Sequence, residues 1–353
     1  MKRNFIIILT VAAVMTACGT KDSRTTTLVS QYANPEYAPD YVEVLIGNAK
    51  DTVINFSDGK LEATIPADKT VLSYIISEGQ PMQFISDGST LTFDFAEKTV
   101  TSSNKNGPNA HLQEFLKWQE EFMDDYQEKV TALPEEEQDA FMEESLEAYN
   151  DNLKKVIKEN KDNVLALLCI ASLNQDDSAE MLELLNSLDD NMRATDDVKE
   201  LIEAQEAALN TVEGKPFVDF TVVQDPEDPE NTTVKLSDYV GKGKYILADF
   251  WASWCGPCKD EMPYIKAAYE KFHGPQFDMV SIAISDEPAD TKKAAEELGI
   301  TWNQIVNAQV EPAYAYGIQY IPHVILFGPD GTILKRGLRG EEIESALSEV
   351  LDK

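Results

Sequence analysis

The 353-residue chain is poor in the side chains that usually hold metals, with 3 histidines and 4 cysteines. A tetrahedral zinc site needs four ligands, usually from two CxxC pairs or from one such pair and two closely spaced histidines. Only one CxxC is present, Cys255–Cys258, and no His pair at short spacing joins it. This argues against a metal clamp, and no cofactor is expected. Positive charge is also scarce: 30 Lys and Arg stand against 63 Asp and Glu, for a formal net charge of −33. Such a chain repels phosphate backbones, so nucleic acid is not an expected partner. Long apolar runs are missing too. The run at residues 5–14, FIIILTVAAV, is too short to cross a bilayer.

Hydrophobic residues make up 43% of the chain, enough for packed cores, and the length suggests two or three folded units. The basic start MKRN before the apolar run reads as a secretory signal. Met15, Thr16, Ala17 and Cys18 resemble the end of a bacterial lipoprotein signal, with Met15 where Leu is usual. That likeness implies cleavage after residue 17, lipidation of Cys18 and a lipid-anchored protein of the cell envelope or periplasm; ordinary cleavage beside a coincidental Cys is the alternative. Residues 1–18 are thus assigned to the signal, and the polar, Pro-punctuated residues 19–40 to a flexible tether. Outside the cytosol disulfides persist. Cys169 lies in NVLALLCIASL, apolar on nearly every helical face, and is expected as a buried core thiol. Cys255 and Cys258 are left to carry chemistry.

Period-two alternation of Val42, Val44 and Ile46, Ile54 and Phe56, Leu61, Ala63 and Ile65, and Leu91, Phe93 and Phe95 predicts half-buried strands. Ser57–Gly59 and Ser86–Gly88 place a Gly where hairpin turns need positive φ. Residues 41–104 are therefore expected to form a small antiparallel β domain of sandwich type. Leu112, Phe115, Leu116, Phe122, Met123, Tyr126 and Val130 then fall on one helical stripe, and Phe141 to Ile157 supply a second after Pro134. Further helices are expected near 163–174, 178–188 and 196–211. Residues 105–212 read as a helical spacer; the 28 acidic and 8 basic side chains between 111 and 213 are a solvated surface. From 213 to 353 strand runs YILADFW, MVSIAIS and HVILF alternate with helices near 258–272, 290–299 and 341–351, which implies an α/β sheet with helices on both faces.

The Cys pair stands at a strand-to-helix junction, with Gly256 and Pro257 between the two sulfurs. Two Cys at that spacing can approach closely enough for a disulfide. At the helix start, unpaired N–H groups and the helix dipole favour a thiolate, which would pull Cys255 below the free value of about 8.5. Cys258, one turn further in, would be less exposed, so one sulfur attacks and the other resolves. A purely structural disulfide would close a tiny loop and add little through chain entropy.

WCGPC behind DFWAS is similar to the thioredoxin active site. LSDYVGKGKYILADFWASWCGPCKDEMP with the later GIQYIPHVILFGPDG resembles the TlpA/ResA type of thioredoxin-like protein, across residues 213–353. The preceding β and helical segments more weakly resemble the N-terminal region, of unassigned function, of envelope lipoproteins of that type. The resemblance implies that Cys255 is the nucleophile, Cys258 the resolving thiol, and Pro322 the cis-proline beside which a substrate backbone pairs. It places Trp254, Gly256, Pro257 and Ile321 at the substrate. Asp249 matches the buried acid of thioredoxins, a proton acceptor for the resolving thiol, where the TlpA/ResA type more often has Asn; a hydrogen-bonded strand acid is the alternative. Glu261 matches an acidic position of that type and shares a helix side with Cys258; a surface charge is the alternative. Trp251 would pack the first strand and Trp254 cover the site. His323 stands where the family commonly has Thr and reads as a strand residue. Thiol peroxidases share the fold, but their Pro/Thr-framed peroxidatic Cys is missing.

Gly-Pro is the pair found in reducing thioredoxins, whose potential is about −270 mV, so the resemblance implies a protein-disulfide reductase. Its substrates would be disulfide-containing exported proteins. In an oxidising envelope it would need a membrane thiol-reductase as electron donor. Apocytochromes awaiting cytochrome c maturation, secreted enzymes and a general pool are all clients the resemblance allows. The competing reading is a binding or scaffold lipoprotein in which the β and helical regions act and the thioredoxin-like domain is auxiliary.

Overall fold

The computed structural model describes residues 24–47, 52–173 and 177–351. Cys18 and the signal segment lie outside them. The chain divides into two compact units, residues 1–202 and 203–353.

The first unit begins with eight strands: β1 (Thr25–Gln31), β2 (Tyr41–Ile46), β3 (Thr52–Asn55), β4 (Lys60–Pro66), β5 (Asp68–Ser77), β6 (Gln80–Ser86), β7 (Thr90–Asp94) and β8 (Thr99–Ser102). They form two four-stranded sheets, ordered β4-β1-β7-β8 and β3-β2-β5-β6. Leu28, Val42, Val44, Leu61, Ile75, Phe84, Leu91 and Phe93 form their common core.

The tether expected over 19–40 is corrected from residue 25 onward, where β1 pairs antiparallel with β4 and parallel with β7. Two of its three buried positions are polar, Thr26 and Ser30 around Leu28, so the segment does not read as apolar alternation. Thr26 is nonetheless satisfied inside: its Oγ1 accepts from Ser86 Oγ at 2.9 Å and from the Gly88 N–H at 2.8 Å. The Ser-Asp-Gly turns are tight, with Gly59 and Gly88 at positive φ. The first is a two-residue hairpin turn, with Ser57 and Lys60 exchanging both backbone hydrogen bonds, whereas the second links β6 and β7, which lie in different sheets. The hairpin between β5 and β6 turns on Glu78 and Gly79, both at positive φ.

Six helices follow: α1 (Pro108–Ala132), α2 (Glu135–Glu159), α3 (Val164–Ser172), α4 (Ser178–Asn186), α5 (Asp190–Arg193) and α6 (Asp196–Asn210). The first two carry the expected stripes. Leu112, Phe115, Leu153, Ile157 and α3, apolar up to its last residue Ser172, pack on Leu72 and Ile85 of the sheet. Strands and helices of residues 24–202 therefore share one unit, where a β domain and a separate helical spacer had been expected. Cys169 is fully buried in that core, and burial pushes its thiol up to about 12.

The second unit contains β9 (Thr221–Val223), α7 (Pro229–Thr232), β10 (Thr233–Lys235), β11 (Tyr245–Trp251), α8 (Gly256–Phe272), β12 (Phe277–Ala283), α9 (Pro288–Leu298), β13 (Asn303–Ile305), α10 (Glu311–Tyr316), β14 (His323–Phe327), β15 (Ile333–Arg336) and α11 (Glu341–Leu351). The main sheet runs β13-β12-β11-β14-β15, with β11, β12 and β13 parallel and β14 and β15 antiparallel to their neighbours. Alternation divides β11 between two cores. Leu247 and Trp251 pack under α8, α9 and α11, whereas Ile246, Ala248 and Phe250 pack against β9 and α10. By parity Asp249 points to the α8 side, the side that carries Cys258.

Candidate active site

The site stands where β11 ends and α8 begins. Cys255 is the N-cap of α8, and Pro257 lies in the first turn, where its missing N–H costs nothing. Cys255 and Cys258 are joined as a disulfide, with Cα atoms 5.3 Å apart. The Cys258 backbone N–H points at Cys255 Sγ, 3.1 Å away, so one of the orphan donors of the helix start is spent on that sulfur. Both sulfur-bearing residues are buried in this oxidised form, Cys255 at 4% and Cys258 at 1% exposure, a smaller asymmetry than the helix position alone suggests. Gly256 leaves the site open: a Cβ there would meet nothing within 4 Å.

Opposite the sulfurs lies the Ile321–Pro322 segment, with a cis peptide bond and the Ile321 carbonyl oxygen 3.8 Å from Cys255 Sγ. Arg339 donates to the Pro322 carbonyl oxygen and to that of Leu338. The next residue, Gly340, gives its N–H to Glu261 Oε1. One short loop thus holds both the cis-proline segment and the acid on α8. Glu261 is a buried side chain, not a surface charge.

Asp249 is 1% exposed. Its Oδ2 accepts from Ser281 Oγ at a long 3.4 Å, and its Oδ1 has no hydrogen-bond partner. Burial pushes this carboxyl up to about 7; the Ser281 bond opposes the shift, the Glu261 charge adds to it and Arg339 opposes it. Removing a carboxylate from water disfavours the charged form, so the group titrates near neutrality beside the disulfide-bearing helix. His323 follows Pro322. Burial, with the Arg336 and Arg339 charges, pushes its imidazole down to about 3, so the neutral ring accepts from Arg336 Nε at 3.4 Å.

Trp251 is buried in the core, as its place in β11 demands. Trp254 stands next to Cys255 at the surface. It is 62% exposed and its indole N–H is anchored on the Ser285 carbonyl oxygen at 2.8 Å. Beside that anchor sits Asp286, which sequence reasoning missed. Its Oδ2 accepts from the Ser253 N–H at 2.6 Å and from Thr291 Oγ1 at 2.8 Å, and its Oδ1 from Ser253 Oγ at 2.8 Å and from the Glu287 N–H. The loop from β12 to α9 therefore fixes the two residues that lead into Cys255. The available signal was an Asp just before a Pro-led helix, with a Thr one turn on. Arg339 had no signal beyond a Gly on either side of a Leu-Arg pair.

The other two histidines lie elsewhere. His111 Nδ1 lies 2.9 Å from Asn160 Oδ1 in the first unit, and His273 packs on Tyr269 with ring centroids 4.5 Å apart and the planes tilted by 37°.

Residues 213–336 match the AhpC/TSA family. The thiol-disulfide oxidoreductase ResA of Geobacillus thermodenitrificans is 30% identical over 122 residues, covering 35% of this chain and 67% of that protein. ResA of Bacillus thuringiensis subsp. konkukian is 26% identical over 140 residues, covering 40% of this chain and 77% of the relative. Among solved structures, the thioredoxin domain of a thiol-disulfide oxidoreductase from Bacteroides vulgatus is similar at 30% identity. It covers 40% of this chain and 98% of that one, with a TM-score of 0.35. The chain that holds Cys255 and Cys258 at this helix start therefore belongs to the thioredoxin-like thiol-disulfide oxidoreductases of the ResA type.

Proposed function

We propose that the protein is a reductant of disulfides in exported client proteins, tethered to the cell envelope by a lipid on Cys18. In the reduced state the N-terminus of α8 favours the Cys255 thiolate. That thiolate attacks one client sulfur, giving a Cys255–client mixed disulfide and a client thiolate. Cys258 then loses its proton to Asp249, with Glu261 as its neighbour in the same buried site, and attacks Cys255 Sγ. The second client sulfur leaves, and the two client thiolates take up two protons. Two electrons pass from the Cys pair to the client, and a membrane thiol-reductase donor restores the dithiol.

The observation that carries this reading is the placement of Cys255 Sγ: it faces the first-turn N–H of α8 on one side and the Ile321 carbonyl on the other, with an acid that titrates to about 7 on the strand behind. Trp254 and Tyr320, both more than half exposed, flank the approach, and Gly256 leaves it unobstructed. In this reading Trp254, Gly256, Pro257, Ile321 and Pro322 contact the client backbone.

Reduction of insulin by the purified dithiol protein is the direct assay. Cys258→Ser should halt the cycle at the mixed disulfide and accumulate client covalently held on Cys255. A wild-type protein that leaves insulin intact, with no trapped species in the variant, refutes the proposal and favours the scaffold alternative.

A further inference from the structure

Arg336 closes β15 with a largely buried guanidinium whose hydrogen bonds go to neutral oxygens and a neutral ring. Nη1 donates to the Thr211 carbonyl at 2.9 Å, to Thr211 Oγ1 at 2.7 Å and to the Ala208 carbonyl at 3.4 Å. Nη2 donates to the Tyr316 carbonyl at 2.9 Å, and Nε to His323 Nε2 at 3.4 Å. Ala208 and Thr211 mark the end of α6, and Tyr316 is the last residue of α10. Unpaired carbonyls at helix C-termini carry partial negative charge, so two helix ends share one cation. The planar fork of arginine can serve both at once, which a lysine ammonium cannot.

The same two helices touch directly. A Cβ at Gly317, where φ is +57°, would lie 2.5 Å from the Ala204 carbonyl oxygen and 2.6 Å from Ala208 Cβ. Gly317 opens the segment that ends at Ile321 and Pro322. Residues 203–212 precede the region 213–336 that the family model matches, yet their helix end is bolted to both ends of the cis-proline segment: through Gly317 at its start and through Arg336 and His323 at its finish.

We propose that Arg336 is a positioning residue that fixes the Ile321–Pro322 edge for client docking, by fastening His323 to the ends of α6 and α10. Residues 203–212 are then part of the client-binding apparatus. This rests on the disulfide-exchange reading of the site. Arg336 stands on β15, which β14 with His323 separates from β11, the strand that leads to the sulfurs, so its loss should weaken docking more than thiol chemistry.

The test is Arg336→Met in the full chain, with insulin as the probe and dithiothreitol as reductant. KM is expected to rise about tenfold with kcat changed less than about twofold, because the docking edge loosens and the sulfurs do not. The position of the Cys255/Cys258 equilibrium against glutathione is expected to stay where it is. Arg336→Lys should fall between wild type and Arg336→Met. A fall in kcat at constant KM, a displaced glutathione equilibrium, or a wild-type KM in Arg336→Met overturns the proposal. If Arg336→Met does not fold, Thr211→Val removes one acceptor of Arg336 together with the hydroxyl's own bonds to the Ala207 and Tyr316 carbonyls and should raise KM about two- to threefold; an unchanged KM there overturns it equally. Failure of the wild type to reduce insulin would overturn the exchange reading itself, whereas an active wild type with an indistinguishable Arg336→Met overturns only the role of Arg336.

Discussion

Replacing Asp249 by Asn removes a titrating proton with almost no change in volume, and the structure sets the size of the effect. Asp249 is buried under α8, with one oxygen unpartnered and the other held by a single long bond from Ser281. Burial pushes its pKa from 3.8 to about 7. The folded protein therefore holds this proton more tightly than the unfolded chain does. Its contribution to stability is fully present below about pH 4, is lost as pH rises from about 4 to about 7, and changes no further above that. One pKa unit corresponds to about 1.4 kcal/mol, so the whole window is worth on the order of 4 kcal/mol. Asparagine is neutral throughout and lacks this slope.

Urea unfolding of the oxidised wild type and Asp249→Asn at pH 5, 6, 7 and 8, followed by tryptophan fluorescence, measures it. Three of the four tryptophans, Trp251, Trp254 and Trp302, lie in the second unit. The difference between the proteins should move in favour of Asn by about 2 kcal/mol from pH 5 to 7, and by little between 7 and 8. Parallel curves would mean that Asp249 titrates like a solvated acid. That result would also remove it as the proton acceptor for Cys258, since an acid ionised throughout this range has no affinity for a thiol proton to match.

Asp286→Ala leaves the Ser253 N–H and Oγ, the Glu287 N–H and Thr291 Oγ1 without their acceptor. About 3 kcal/mol of stability should be lost in denaturant unfolding of the second unit, because four donors, that of Thr291 fully buried and the others partly so, lose their partner together; a loss under 0.5 kcal/mol, on the order of a surface change, would refute the anchoring role. Leu28→Ala in β1 should cost about 2–5 kcal/mol in unfolding of the first unit, the range for a fully buried leucine, whereas a tether residue would cost nothing measurable. In the reduced protein, alkylation at pH 8 followed by peptide mass analysis should label Cys255 and leave Cys169 unmodified until the chain is unfolded, since burial holds the Cys169 thiol up at about 12.

What could be read from the chain alone depended on whether a signal was local. The change from period two to period 3.6 near residue 105 and the return to strand–helix alternation near 213 are written in consecutive apolar residues, and α1, α2, β11, β12 and β14 follow them. The Cys pair at a strand-to-helix junction is equally local. β1 was not legible because its inward face is Thr26, Leu28 and Ser30, and its partners β4 and β7 lie tens of residues away. β13 and α10 were missed because three and six residues are too few to show a period. The turns at Gly59 and Gly88 were legible as turns, but the sheet that each following strand joins is decided by packing, which no tripeptide encodes.

The site divides along the same line. Asp249 could be placed beside the sulfurs from sequence through the likeness of DFWASWCGPC to the thioredoxin active site, and the structure puts it on the face of Leu247 and Trp251. The groups that hold the site in place could not. Asp286 acts on Ser253 across 33 residues, Gly340 on Glu261 across 79, and Arg336 on Thr211 across 125. Each supplies or receives a hydrogen bond whose worth exists only once the sheet has brought its partner near. A thiol-exchange domain thus carries its reactive atoms on one short contiguous stretch and its geometric control on dispersed polar residues. Substitutions outside CGPC should therefore alter client affinity and proton handling before they alter the sulfur chemistry.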